Sequence, residues 1–370
     1  GADAVAGVVS IRSSANAGVR ALAEAGTDGL ARVSGYGGYK RFFASAEGGR
    51  TDGFVIVAPE ARGPIDNEAG SRHAVVNGGV LLLPAGGPLW IRGSHFDESR
   101  RNGTPLQSNA TRITQGSGRF SRALADGGVF GAQAYALTQT YDQTFSAVFA
   151  GRSAERLTTE QAVESKAARG GAEYARGAAP GTMTLSAHVR RVSATLNEHE
   201  VSSGARRTLD ADQTTAALSA QGRTAWRRFA AGAGVRVELW RSAQEGTNQD
   251  VFVTPRAWVT FSPAPEIRTR VAVQSGYRGP TINELYRPFR VGAVITQANP
   301  DLQAEQVRGI EAGVSYRRDR LHVRVVSFWS RVSDAIVNVT LSSSGGAIQR
   351  QRQNAAEITA AGAEFEAEVR

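Results

Sequence analysis

From about residue 70 onward, hydrophobic and polar residues alternate with a period of two along much of the chain, the pattern of β-strands with two unlike faces. In Met183-Thr184-Leu185-Ser186-Ala187-His188-Val189-Arg190, one face carries Met183, Leu185, Ala187 and Val189 and the other Thr184, Ser186, His188 and Arg190. The same split recurs in Val235, Val237 and Leu239 against Arg236 and Glu238, and in Thr269, Val271 and Val273 against Arg268, Arg270 and Gln274. Each such strand has one side for apolar surroundings and one for water.

Turn chemistry separates these stretches at Asn102-Gly103, Asp126-Gly127-Gly128, Ala178 to Gly181, Gly246 to Asn248, Pro263 to Pro265 and Ser342 to Gly346. Residues 150–182, 197–215 and 277–305 read as long polar connections. Residues 154–176, with Glu155, Glu160, Glu164 and Lys166, have the composition of a short helix but in context read as a loop. Short turns at one end and long loops at the other are the asymmetry of a bacterial outer-membrane barrel, whereas a soluble sandwich has shorter strands and more even spacing. Trp90, Trp226, Trp240, Trp258 and Trp329 fall in or at the ends of the alternating stretches, where an interface girdle is expected. A buried core tryptophan accounts for each nearly as well. The glycines of Ser34-Gly35-Tyr36-Gly37-Gly38-Tyr39 read as strand glycines beside aromatic neighbours.

Composition narrows the choice. With 41% hydrophobic and 21% charged residues among 370, the chain can bury a core and is outside the disordered class. The 42 glycines suit many strands and turns. Without cysteine, neither a disulfide nor a thiolate metal site is possible. The net charge of +9 comes from 43 basic residues, all arginine except Lys40 and Lys166. They are spread along alternating stretches and not gathered in a run, with pairs such as Arg206-Arg207 and Arg227-Arg228 among turn residues, which favours a solvated or lumen-facing surface over a nucleic-acid patch. No run approaches the roughly 20 apolar residues of a membrane helix, which excludes a helical span and leaves a membrane barrel open. The chain opens at Gly1 without a signal-like segment, so a true N-terminus upstream is expected.

Candidate chemistry is sparse. Asn197-Glu198-His199-Glu200, near Asp210 and Asp212, is the closest approach to a metal constellation. On a strand, however, His199 turns away from Glu198 and Glu200, and a solvated loop explains the same residues. The five histidines lack ligand spacing, and there is no Gly-x-Ser-x-Gly elbow, Walker loop or zinc-protease signature. No enzyme and no cofactor are expected.

Two segments carry a family likeness. The opening Gly1-Ala2-Asp3-Ala4-Val5-Ala6-Gly7-Val8-Val9-Ser10-Ile11 resembles the end of the plug domain of TonB-dependent receptors. The stretch Ser275-Gly276-Tyr277-Arg278-Gly279-Pro280-Thr281-Ile282-Asn283-Glu284-Leu285-Tyr286, then Asn299-Pro300-Asp301-Leu302, Glu305 and Gly309-Ile310-Glu311-Ala312-Gly313, resembles their aromatic-Arg-x-Pro segment and Asn-Pro-x-Leu-x-x-Glu re-entry. Weaker likenesses lie at Thr51-Asp52-Gly53-Phe54 with Arg62-Gly63-Pro64, at Asn102-Gly103-Thr104-Pro105-Leu106, and at Asn354, Gly362 and Glu364. Where the family commonly has Lys-Pro before the motif glutamate, this chain has Gln303-Ala304.

The resemblance implies an all-β protein, an antiparallel transmembrane β-barrel of about 22 strands when complete, closed around a plug. Residues 1–14 would be the plug's tail and residues 15–370 an incomplete barrel of ~12 to 14 strands at about 10 residues each. The end in mid-alternation, Glu364-Phe365-Glu366-Ala367-Glu368-Val369-Arg370, agrees with that expectation. Implied too are a bacterial outer-membrane location, contact with outer-membrane lipid, and energy-coupled import of a small ligand such as an iron–siderophore or cobalamin. TonB and its inner-membrane complex would act through an N-terminal region that precedes this segment.

Candidate ligand contacts in the loops are Arg62, Asp66, Arg100, Arg101, Arg278, Tyr286, Arg287 and Arg290, types suited to anionic or catecholate-like ligands. Lining a wet lumen accounts for them equally well. Pro280, Glu284, Leu285, Tyr286, Asn299, Pro300, Leu302, Glu305 and Gly313 are motif positions expected to fix the loop-to-strand junction. The rival readings are a passive porin-like or adhesin barrel and a soluble basic β-protein that binds polyanions.

Overall fold

The structure, a computed structural model, describes residues 17–178, 180–244, 246–291, 294–344 and 347–369. The plug-like opening, residues 1–14, lies outside the described residues. The first strands are β1 (Gly18–Ala25), β2 (Ala31–Tyr39), β3 (Phe42–Thr51), β4 (Ser71–Leu82), β5 (Leu89–Arg101) and β6 (Ser108–Ala123). Longer strands follow: β7 (Gly128–Val148), β8 (Glu155–Ala178), β9 (Gly181–Glu200), β10 (Arg206–Trp226), β11 (Phe229–Ala243), β12 (Thr247–Ala264) and β13 (Ile267–Arg278). After a short helix α1 (Ile282–Tyr286) and the small strands β14 (Phe289–Val291) and β15 (Val294–Gln297), the wall resumes with β16 (Glu305–Arg318), β17 (Leu321–Ser344) and β18 (Ala347–Val369).

Pairing is antiparallel between chain neighbours from β1 to β13, then β13 with β16, β16 with β17 and β17 with β18. β14 and β15 form a hairpin within the β13–β16 connection, and β15 runs parallel to part of β18. The wall therefore holds more strands than the expected 12 to 14, because stretches expected as long loops are themselves strand. Among the described residues, no helix is long and apolar enough to cross a membrane.

Two of the expected long loops are strands. The segment 154–176, expected as a loop of helix-like composition, lies from residue 155 onward in β8, and 206–215 belong to β10. Alanine, glycine, glutamate and lysine are weak strand formers. Here β8 is held by long ladders on both sides, from Gly128↔Arg176 to Val148↔Glu155 and from Thr159↔Glu200 to Ala178↔Gly181. The 277–305 connection is retained. The end asymmetry is also present. One end has tight turns, several opened by a non-glycine residue in left-handed conformation, Lys40, Arg227 and Asp319. The other carries the connections 52–70, 102–107, 149–154 and 279–304.

The registers give the wall two faces. Met183, Leu185 and Val189 share one with Leu218, Val235, Val237, Val251 and Val253. Leu218 is 66% and Val253 59% exposed. Leaving such side chains in water forgoes roughly 1.5–3 kcal/mol each, so this face is built for an apolar medium and not for solution. The opposite face carries His188, Arg236 and Glu238, with Arg236 2.7 Å from the His188 ring. The tryptophans divide between the faces, which corrects the girdle expectation. Trp226 and Trp329 lie on the apolar face, 64% and 41% exposed. Trp90 and Trp258 turn inward beneath the guanidinium groups of Arg92 and Arg270, and Trp240 is buried at 5%. Alternation places a residue on a face only when the register is known.

Candidate functional site

The long-connection end holds the main buried cluster, built where the chain leaves β13. Gly279 passes so close to Trp240 that a Cβ there would lie 2.8 Å from the indole Nε1. Pro280 is fully buried, and its carbonyl accepts a hydrogen bond from Gln213 at 2.8 Å. Thr281 then starts α1: its hydroxyl accepts from the Glu284 N–H at 3.2 Å while the Glu284 carboxylate accepts from the Thr281 N–H at 2.9 Å. This reciprocal capping box lets a very short helix persist. Its Leu285 and Tyr286 are buried against Leu196, Leu209, Trp240, Phe252, Tyr277 and Leu302, and the Tyr286 hydroxyl donates to Ser242 at 3.2 Å. Leu196, Leu209 and Trp240 belong to the inward face, so the connection folds into the lumen.

Arg278 ties the two ends of this connection together. It donates to Glu284 at 2.9 Å and to Glu305 at 2.6 Å, and the other Glu305 oxygen accepts from the Ile336 N–H at 2.7 Å. Burial by itself would raise the Glu284 carboxyl. The hydrogen bonds from Arg278 and Thr281, with the Arg278 charge, outweigh it and hold the group below the usual range. Asn299 donates to the Arg352 carbonyl at 2.8 Å and accepts from the Asp301 N–H at 3.1 Å. The Pro300 carbonyl accepts from Asn248, and Gly313 passes close to Val326 on β17. Every described polar motif side chain is thus engaged within the protein.

Arg287 is less completely engaged. It donates to Gln161, which in turn donates to Glu198, and lies 3.5 Å from the Asn283 side-chain oxygen. Its Nε is buried without a hydrogen-bond partner among the described residues. Arg352, which was not singled out in the sequence, donates to the Asn283 carbonyl at 3.0 Å and stacks 4.9 Å from the Phe289 ring centroid. Two guanidinium groups therefore flank Asn283. The only sequence signal near Arg352 was the family likeness at Asn354. The Arg290 side chain lies outside the described residues.

The other candidates sit in a second group of connections. Asp66, with a side chain 1% exposed, accepts hydrogen bonds from Arg152 Nε at 2.7 and 2.8 Å, from Arg152 Nη2 at 2.5 Å, and from the Gly63 N–H at 2.8 Å. The Arg152 hydrogen bond holds its carboxyl below the usual range. Leu106 joins through its N–H to Glu155 at 2.6 Å, and Asn67 through its N–H to the Gly103 carbonyl at 3.1 Å. Arg62 donates to the carbonyls of Val57 and Val55 in its own loop. Arg100 pairs with Glu98 at 2.8 Å, Arg101 reaches Asp52 at 3.9 Å, and both line a cavity of about 540 Å³ with Arg50 and Arg72. Glu198 and His199 turn to opposite faces of β9, toward Gln161 and Glu160 respectively.

A family model described as the β-barrel of TonB-dependent receptor-like proteins matches residues 61–370. No curated protein matches the chain. Among solved structures, the copper transporter OprC is similar with a TM-score of 0.74 at 13% identity, over 95% of this chain and 58% of its own. The ferric yersiniabactin uptake receptor FyuA from Yersinia pestis is similar with a TM-score of 0.67 at 16% identity, over 97% and 59%. A double mutant of the hemophore receptor HasR of Serratia marcescens, in complex with its hemophore HasA and heme, gives 0.69 at 12%, over 94% and 60%. The chain spans less than two thirds of each of these structures, and at such identities the likeness concerns the fold.

Proposed function

The chain belongs to the TonB-dependent receptor-like β-barrel family, whose members are outer-membrane proteins, and on that premise we propose that it forms the wall of a receptor for energy-coupled uptake of a scarce small ligand. The observation that carries this reading is the folded-in β13–β16 connection, which narrows the lumen with a packed cluster around Leu285 and Tyr286. A passive pore works best with an open lumen, whereas a receptor that captures its cargo before moving it works with an ordered, partly closed mouth. The apolar outer face disfavours the soluble polyanion-binding alternative.

A metal chelate is the cargo best supported, because the structural relatives include a copper transporter, a ferric yersiniabactin receptor and a hemophore receptor. Arg287 and Arg352 at Asn283, and Arg100 and Arg101 at the second cavity, are the proposed ligand contacts. Arg62, Asp66, Arg278 and Tyr286, whose polar groups are taken up by partners in the loops and adjoining strands, are proposed to hold the site's shape. Pro280, Glu284, Asn299, Leu302 and Glu305 would do the same. TonB, with its inner-membrane complex, is the proposed energy source. The test is growth-coupled uptake by cells carrying the intact gene product, with and without functional TonB, across iron and copper chelates, heme and cobalamin. Uptake of one ligand that vanishes without TonB is expected; passage independent of TonB would overturn the active-transport reading.

A further inference from the structure

Between β12 and β13 the wall is not continuous. Their ladder runs from Ala264↔Ile267 to Arg256↔Gln274 and stops, although β12 reaches back to Thr247 and β13 on to Arg278. It stops next to Pro255, a residue with no N–H to give a neighbouring strand. β12 stays paired with β11 as far as Thr247, and β13 with β16 as far as Arg278, so the break is confined to one seam. On the lumenal side Tyr277 fills it. That residue is 3% exposed, its ring centroid lies 3.8 Å from that of Phe252, and its hydroxyl donates to Glu238.

On the outer side the seam borders a cavity of about 1220 Å³ whose lining includes Val251, Val253, Val273, Ile310 and Trp329. All five are exposed on the apolar face, so the cavity is an indentation continuous with the surface that meets lipid. Arg308 also lines it. In the ladders Arg308 stands between Ser275 and Arg331, and Arg331 pairs with Glu357. The Arg308 residue is exposed, and its side chain makes neither ion pair nor hydrogen bond among the described residues. An unpaired cation two residues from Ile310 on a lipid-facing strand is unfavourable unless an anion meets it there.

We propose that this seam binds one anionic phospholipid of the surrounding bilayer, whose phosphate is not compensated by a cation in its own headgroup, with an acyl chain along Val253, Val273 and Trp329 and the phosphate against Arg308. The acyl chain covers apolar wall where strand pairing fails, and the phosphate supplies the missing counter-charge. The inference rests on the outer face lying in lipid, and it is independent of cargo or TonB.

Native mass spectrometry of the chain in detergent micelles tests it, with phosphatidylglycerol and phosphatidylcholine of identical acyl chains supplied in equal amounts. One phosphatidylglycerol should be retained in preference by about tenfold, in line with the strength of charge-assisted contacts. Arg308→Gln should bring the preference close to unity, Arg308→Lys should keep most of it, and Val253→Trp should reduce retention of both lipids by filling the cavity. Arg241→Gln, at an exposed cation of β11 that does not line the cavity, should change nothing. Undiminished preference in Arg308→Gln, or equal loss in Arg241→Gln, would overturn the site and leave only general attraction to a basic protein. A chain that stays in solution without detergent would overturn the membrane wall and this site together.

Discussion

At the residue scale, Arg278 and Glu284 do more than their neighbours. One guanidinium joins the first turn of α1 to the start of β16, and one carboxylate both caps the helix and answers that cation. Glu284→Gln removes the ion pair and weakens the cap, and with the side chain only 19% exposed the expected loss is about 1–3 kcal/mol. Urea unfolding in detergent, followed by tryptophan fluorescence, reads it. The folded carboxyl lies below its ordinary value of 4.5. Its stabilisation is therefore fully present above that pH and is lost as the pH falls through the lower folded value, so wild type and Glu284→Gln should converge in acid. Asp66 and Arg152 make an analogous link between residues 86 apart in sequence. Arg152→Ala should raise the rate of chymotryptic cleavage in residues 52–70 by about tenfold, since local opening controls it. An unchanged rate would mean the forked contact does not hold the loops.

At the element scale, the 279–304 connection was legible because its motif is dense: Pro280, Leu285 and Leu302 are all buried where the loop turns inward. β8 was not legible. Its residues Ala162, Ala167, Ala168, Ala172 and Ala175 give little apolar contrast, and what makes them strand is the pairing on both sides, a long-range property absent from any local window. The Arg152–Asp66 link and the pairing of Arg287 with Arg352 around Asn283 were hidden for the same reason. Gly279 provides a test of the inward fold. Gly279→Ala would press a methyl onto the buried Trp240 ring and should cost roughly 1–3 kcal/mol, as overpacking commonly does. Intact strand content with disturbed Trp240 emission is expected; an unchanged protein would mean the corner has room that the geometry denies it.

At the scale of the whole molecule, one division governs the rest: a wall with lipid on one side and water on the other. That division explains why the chain is rich in arginine yet shows no nucleic-acid signature, and why large aliphatic side chains such as Leu218 and Val253 are exposed. It was visible in the alternation of β9, β11 and β13, whereas the faces of the tryptophans had to wait for the registers. Because the chain has no cysteine, the most direct test is a scan of single-cysteine variants from Met183 to Arg190 in lipid vesicles, each labelled with a nitroxide. Collision with oxygen should dominate at 183, 185, 187 and 189, and collision with a water-soluble nickel chelate at 184, 186, 188 and 190, in strict alternation. Equal access of both reagents along the strand, or loss of the alternation, would contradict the barrel wall on which the proposed uptake function rests.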